Sequence, residues 1–227
     1  DPELTIVKSE QKTSFYLAIE KGNIEIIHLF TKNKDIDFNI VNTTKTETNE
    51  YYEKFKRYQD GNIYRWSVKT TKKEEKTAFY LAVEKEDLEI IQHLLSLEKV
   101  DINIPCTSEN NIESEKDEYS FGNTDSEFET TVETEIKTPF YFLIENEKLA
   151  ILKLLLTNDK IDVNFPCKYN ESYNLGCYNS PRKDDQCQEE KTPFYLAVEY
   201  KNIEIIKILL SNSKIDINKE YIKTILS

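Results

Sequence analysis

"KTPFYLAVEYKNIEIIKILL", residues 191–210, decides the fold, because the chain contains a version of it four times. The other copies are "KTSFYLAIEKGNIEIIHLF" from Lys12, "KTAFYLAVEKEDLEIIQHLL" from Lys76 and "KTPFYFLIENEKLAILKLLL" from Lys137. They align without gaps. Each runs on into an Asp-apolar-Asn ending: Asp37-Phe38-Asn39, Asp101-Ile102-Asn103, Asp162-Val163-Asn164 and Asp216-Ile217-Asn218. From the opening Thr to the closing Asn is 26 residues in every copy, whereas the gaps to the next Thr are 38, 35 and 28. A fixed brick therefore alternates with a variable insert, the mark of a repeat array.

The brick reads as two short amphipathic helices. Thr followed by Pro or a small residue is a helix N-cap signal, and Pro is tolerated in the first turn. Phe15, Leu17, Ala18 and Ile19 then form one apolar face, and Ile24, Ile26, Ile27, Leu29 and Phe30 the next. Neither helix is long enough to be stable alone in water, so neighbouring bricks must bury each other's faces.

The brick resembles the ankyrin repeat. That family's Thr-Pro-Leu-His-x-Ala motif is matched by Thr192-Pro193-Phe194-Tyr195-Leu196-Ala197, and its second-helix motif by Glu204-Ile205-Ile206-Lys207-Ile208-Leu209-Leu210. Tyr16, Tyr80, Tyr141 and Tyr195 replace the motif's His. Only Gly22 keeps the Gly between the helices, with Glu86, Glu147 and Lys201 in its place elsewhere. The resemblance covers the four bricks, about half of the chain. It implies stacked helix pairs joined by β-hairpins and a role in protein binding.

The inserts read as strands. "YYEKFKRYQDGNIYRWSVKT", residues 51–70, alternates aromatic and β-branched residues with charged ones around Asp60-Gly61-Asn62. Gly61, Gly122 and Gly176 fall one per insert, near Asn or Asp, as at hairpin tips. In the second insert Phe128, Thr130, Val132, Thr134 and Ile136 share one strand face, and Glu127, Glu129, Glu133 and Glu135 the other. Residues 40–76 carry nine basic against six acidic residues, residues 104–137 two against ten, and residues 165–191 four against five. A basic insert beside a strongly acidic one favours their side-by-side arrangement.

The expected fold is mainly α with β-hairpins: an ankyrin-like α-solenoid of four helix-turn-helix repeats with three extended β-hairpin fingers. The expected single domain spans 1–227, with repeats at about 12–39, 76–103, 137–164 and 191–218, and hairpin inserts at 40–75, 104–136 and 165–190. The last segment, 219–227, is expected to cap the final repeat.

Composition bounds function. The 227 residues carry a formal net charge of −12, which disfavours nucleic-acid binding, since phosphate neutralisation needs clustered Lys and Arg. A protein partner with a basic surface fits better. No apolar run reaches membrane-spanning length. No cofactor or metal motif appears, and no phosphate loop, nucleophile elbow or zinc-protease helix, so an enzyme is not expected. The expected molecule is a monomeric, cytoplasmic, non-enzymatic scaffold. Two alternatives stay open: self-assembly through hairpin edges, and an extracellular adhesion or ligand-binding module. Asn42 and Asn170 match the glycosylation triplet, which recurs by chance in such chains.

Candidate partner-binding residues are the finger aromatics Phe55, Tyr58, Tyr64, Trp66, Tyr119, Phe121, Tyr173 and Tyr178, because Tyr and Trp dominate binding hot spots. Glu20, Glu84, Glu145 and Glu199 recur seven residues after each Thr and form a candidate acidic ladder on the first helices. Lys12, Lys76, Lys137 and Lys191 form a second column, read as structural. Cys167 and Cys187 lie near opposite sides of the third insert's base and are a candidate disulfide in an oxidising compartment; free thiols fit a reducing one. His28 is expected on an outer helix position and His93 as a hydrogen-bonded core histidine.

Overall fold

A computed structural model describes residues 3–52, 63–120, 123–177 and 180–226. Side chains at 3–4, 51–52, 63–66, 116–120, 123–127, 175–177 and 180–184 lie outside that description. The elements follow a fixed order of strand, helix, helix, strand: β1 Glu3–Gln11, α1 Ser14–Glu20, α2 Ile24–Thr31, β2 Asn42–Tyr52; then β3 Ile63–Lys76, α3 Ala78–Glu84, α4 Leu88–Leu95, β4 Cys106–Ser120. The pattern repeats in β5 Asn123–Lys137, α5 Pro139–Glu145, α6 Leu149–Leu156, β6 Cys167–Cys177, and in β7 Ser180–Lys191, α7 Pro193–Glu199, α8 Ile203–Leu210, β8 Ile222–Leu226.

Each first helix starts at its Thr. The hydroxyls of Thr13, Thr77, Thr138 and Thr192 accept from the backbone N–H three residues on, at 3.1, 3.2, 3.2 and 3.1 Å. Asn23, Asp87 and Asn202 cap the second helices in the same way, whereas Lys148 offers no side-chain cap. Between the helices the chain turns through a left-handed residue in all four bricks: Gly22, Glu86, Glu147 and Lys201, at φ of 67°, 58°, 55° and 56°. The last three carry a side chain where the backbone favours glycine.

Helices α1, α3, α5 and α7 pack in a row, each against its own second helix. Phe79, Val83, Ile91, Phe140, Leu143, Leu152 and Ala197 are fully or almost fully buried between them. Each large apolar side chain so buried contributes about 1.5–3 kcal/mol. A second device joins the bricks. Asn39 donates to the Lys99 carbonyl at 2.9 Å and accepts from the Asp101 N–H at 2.8 Å. Asn103 does the same to Lys160 and Asp162, both at 2.8 Å, and Asn164 to Lys214 and Asp216, at 2.7 and 2.8 Å. The recurring Asp-apolar-Asn ending is thus an inter-brick rung: the Asp carboxylate fixes its own Asn backbone, and that Asn stitches the next turn.

The expectation of a mainly α solenoid carrying three hairpin fingers is overturned. All eight strands form a single antiparallel sheet in the order β1-β2-β3-β4-β5-β6-β7-β8, and strand residues outnumber helical ones. Strands of adjacent inserts pair with each other as well as within an insert. Ile63 to Glu75 of β3 run against Tyr119 to Thr107 of β4, and Glu127 to Ile136 of β5 against Cys177 to Lys168 of β6. The physical reason is that a long isolated strand pair leaves two open edges, and pairing along the row satisfies their backbone groups. Charge favours the arrangement: Lys69 of basic β3 lies 3.8 Å from Glu113 of acidic β4, and Lys73 sits opposite Glu109. Two segments were not read as strands. The N-terminal stretch forms β1, and the C-terminal stretch forms the edge strand β8, which pairs with β7, while Tyr221 just before it stacks on Tyr195 of α7 at 4.8 Å.

Candidate functional site

Side chains alternate faces along a strand. The cleft between α5, α7 and the sheet fixes which face looks at the helices. It encloses about 310 Å³ and is lined by Glu135, Tyr169 and Glu189 from the sheet and by Tyr141, Glu145, Glu199 and Tyr200 from the helices. Register then places Glu129 and Glu133 of β5, Glu171 and Tyr173 of β6 and Asp185 of β7 on that same face. The helix-side surface of β5–β7 is therefore a floor of carboxylates and tyrosine hydroxyls. It meets the first helices at an elbow.

The tyrosines are tied to the carboxylates. Burial, reinforced by the Glu133 charge, pushes the Tyr169 phenol up to about 12. A hydrogen bond to Glu129 raises Tyr173. Both stay neutral donors at physiological pH, leaving the carboxylates as the charged acceptors of the floor.

The corner of the elbow is a repeated ion triad. Lys12 lies 2.9 Å from both Glu10 and Glu20; Lys76 lies 2.9 Å from Glu74 and 3.0 Å from Glu84. Lys137 lies 2.8 Å from Glu135 and 2.9 Å from Glu145; Lys191 lies 3.8 Å from Glu189 and 3.1 Å from Glu199. Lys76, Lys137 and Lys191 end their strands and Lys12 directly follows β1; each reaches both the glutamate two residues before it and the last residue of the following helix. Burial alone would lower Lys76, but the hydrogen bonds to Glu74 and Glu84 outweigh it and hold the ammonium above its ordinary value. The Glu20, Glu84, Glu145 and Glu199 column is thus engaged by the chain's own lysines. It clamps sheet to helix at the base of the cleft.

The other sequence candidates scatter. Tyr173 lies on the floor. Tyr64 and Trp66 fall on β3 and Tyr119 on β4, with Ile63 opposite Tyr119, but their side chains lie outside the described set. Phe55, Tyr58, Phe121 and Tyr178 lie outside the described residues altogether. The Cys167–Cys187 cross-link does not form. Register puts Cys187 opposite Glu171, four residues along β6 from Cys167, or about 13 Å of strand, too far for a disulfide. Both are free thiols, as is Cys106. Burial pushes Cys106 up to about 11 and Cys167 up to about 12, which keeps them protonated and unreactive.

His93 is half-buried at the junction of the first two bricks, not in the core. Its Nε2 lies 3.1 Å from the Thr31 hydroxyl, and its ring meets that of exposed His28 edge to face at 4.3 Å. Burial, then the neighbouring His28, lowers its pKa.

Sequence reasoning missed Tyr200 as a lining residue and did not place Glu133 and Glu171 side by side. The period-two carboxylates of β5 were a usable signal for Glu133. The inter-insert register that adds Glu171 was not. No helix among the described residues is long and apolar enough to cross a membrane.

A family model described as ankyrin repeats (3 copies) matches residues 122–221. A search of curated proteins returned no match. The matched stretch contains α5–α8 with strands β5, β6 and β7, and the same caps, left-handed turns and asparagine rungs recur in the bricks before it. Across residues 122–221 the chain thus matches ankyrin repeats, which are generally protein–protein interaction modules.

Proposed function

We propose that this chain is a non-enzymatic interaction scaffold whose elbow holds a partner segment rich in Lys or Arg. The observation that carries this reading is the carboxylate-and-tyrosine floor of β5–β7 facing α5 and α7 across a cleft. A basic segment laid along the floor would meet Glu129, Glu133 and Glu171 as acceptors. Tyr169 on the floor and exposed Tyr200 on the wall would offer it rings suited to stacking on guanidinium or packing on lysine stems. The net charge of −12 steers a basic partner in the same direction. Because the floor is part of a continuous sheet, little ordering is left to do on binding.

The test is a fluorescence anisotropy titration with a labelled Lys/Arg-rich peptide. The unaltered chain should bind it, with affinity falling as salt rises. Glu133→Gln/Glu171→Gln should bind about tenfold more weakly. Equal affinity for the double variant, or equal binding of a Glu-rich peptide, would refute the proposed site.

A further inference from the structure

One rank of side chains runs straight across six strands on the face that looks at the helices. Register pairs Lys8 of β1 with Thr46 of β2, Thr46 with Lys72 of β3, Lys72 with Asn110 of β4, Asn110 with Glu133 of β5 and Glu133 with Glu171 of β6. Residues directly opposite one another share a face, so all six stand on the side of Glu133. The rank crosses the strands and so follows the row of first helices, one rank out from the glutamates of the elbow corner. Read from β1 to β6 it is basic, neutral, basic, neutral, acidic, acidic. The floor has a charge direction.

The cationic half is not neutralised by its neighbours. Of the four lysines of β3, Lys69, Lys73 and Lys76 each pair with a glutamate. Lys72 and Lys8 are exposed and have no ion-pair partner among the described residues. Glu10 and Glu74, next to them along their strands on the same face, are held by Lys12 and Lys76. Glu50 of β2 enters an interaction of its own. Neighbouring strands lie about 4.8 Å apart, so Lys72 and Glu133 stand about 10 Å apart across Asn110. Asn110 donates to Glu133 at 3.1 Å and fixes that carboxylate without supplying charge. The opposite charges of the floor therefore stay separate, and an occupant that spans the rank meets both.

We infer that the partner segment is charge-polar: beside the basic residues over β5 and β6 it carries an acidic block over β3 and β1. This rests on the proposed function and adds what the partner carries and which way it lies along the bricks. A segment basic throughout would set its far half against Lys72 and Lys8, whereas an acidic block there gives each lysine a carboxylate. The spacing follows from the strands. From Lys72 to the midpoint of Glu133 and Glu171 is about 12 Å, or about three to four residues of an extended segment. A protein segment supplies both signs at that spacing, whereas a nucleic acid supplies anions only.

Fluorescence anisotropy with labelled peptides tests this. Each peptide has the same Lys/Arg block, a short Ser spacer and a tail of Glu, Ser or Lys, with block and tail in either order. In the better-binding order the Glu tail should bind about three- to tenfold more tightly than the Ser tail at low salt, and the Lys tail more weakly than both. Lys8→Gln/Lys72→Gln alters exposed side chains, so its melting midpoint should hold, and it should bind Glu and Ser tails equally. Equal affinity of the unaltered chain for Glu and Ser tails in both orders would overturn this inference and leave the proposed function standing, provided the Ser-tailed peptide binds. A Glu-tail advantage that survives the double lysine variant would also overturn it, since the acidic block would then be read elsewhere. Binding of none of the peptides would overturn both.

Discussion

Lys76 Nζ lies 3.0 Å from the Glu84 carboxylate, and the two differ in burial: the lysine side chain is 9% exposed, the glutamate 37%. Their roles are therefore asymmetric. Removing the glutamate leaves a buried ammonium with Glu74 as its remaining partner, whereas removing the lysine leaves a carboxylate already open to water. Glu84→Ala should lower unfolding free energy by about 1–2 kcal/mol, and Lys76→Met by less. Urea titration of both variants measures the difference, and an equal or reversed order would show that the corner is not a clamp around a buried cation.

Asn103 joins the second brick to the third through two hydrogen bonds on the outer turn. Both are exposed, so Asn103→Ala should cost about 1 kcal/mol, with Asn103→Asp also destabilising because it removes the donor to the Lys160 carbonyl. Asn218→Ala, whose side-chain amide has no partner among the described residues, should leave stability unchanged. Thermal melts of the three variants at low protein concentration separate these outcomes.

The left-handed turns give a pair of opposite predictions. A methyl group at Gly22 would meet the nearest atom, Asp87 Oδ2, at an ordinary 3.9 Å, so Gly22→Ala should destabilise through backbone strain alone, by about 1 kcal/mol. Lys201 adopts the same conformation with φ of 56°, and Lys201→Gly should stabilise, by less than about 1 kcal/mol after the entropy cost of glycine. Differential denaturation of the two variants reads both signs.

Two buried thiols predict alkaline behaviour. The folded-state pKa of Cys106 is raised by burial to about 11, above the ordinary value of 9.0, and that of Cys167 to about 12. Below the ordinary value both states hold the proton and pH has no effect through these groups. Above it the unfolded chain ionises first, so stability should fall as pH rises from the ordinary value towards the folded one. Cys106→Ser/Cys167→Ser should flatten that part of the pH profile. In the native chain both thiols should react with iodoacetamide more slowly than half-buried Cys187, as read by mass spectrometry of alkylated fragments.

Much of this architecture was legible in the sequence. The Thr caps, the apolar faces of α1–α8 and the constant Thr-to-Asn spacing come from local chemistry, which a sequence displays directly. The Glu and Lys columns were visible too, but a column shows only that side chains recur. That Lys76 reaches both Glu74 and Glu84 depends on the angle between a strand and the helix that follows it. The eight-stranded sheet was harder still. Val68 and Ile112 show alternation within their strands, but nothing in either strand states that β3 pairs β4 across an insert boundary. β1 and β8 were missed because short terminal stretches carry weak alternation. The floor of the cleft needs β5 and β6 in register, with Glu133 opposite Glu171. It therefore depends on a pairing between distant segments that neither strand displays alone.

The most direct measurement of the central claim is residue-resolved amide hydrogen exchange across the inserts. In one continuous antiparallel sheet, successive residues of β3, β4, β5 and β6 donate alternately to the strand on either side. The account predicts strong protection at both alternating sets in these four strands. Protection at every second amide only would mean three separate strand pairs with open edges, and exchange at free-chain rates would mean no sheet at all. Either result would remove the elbow and, with it, the proposed binding surface.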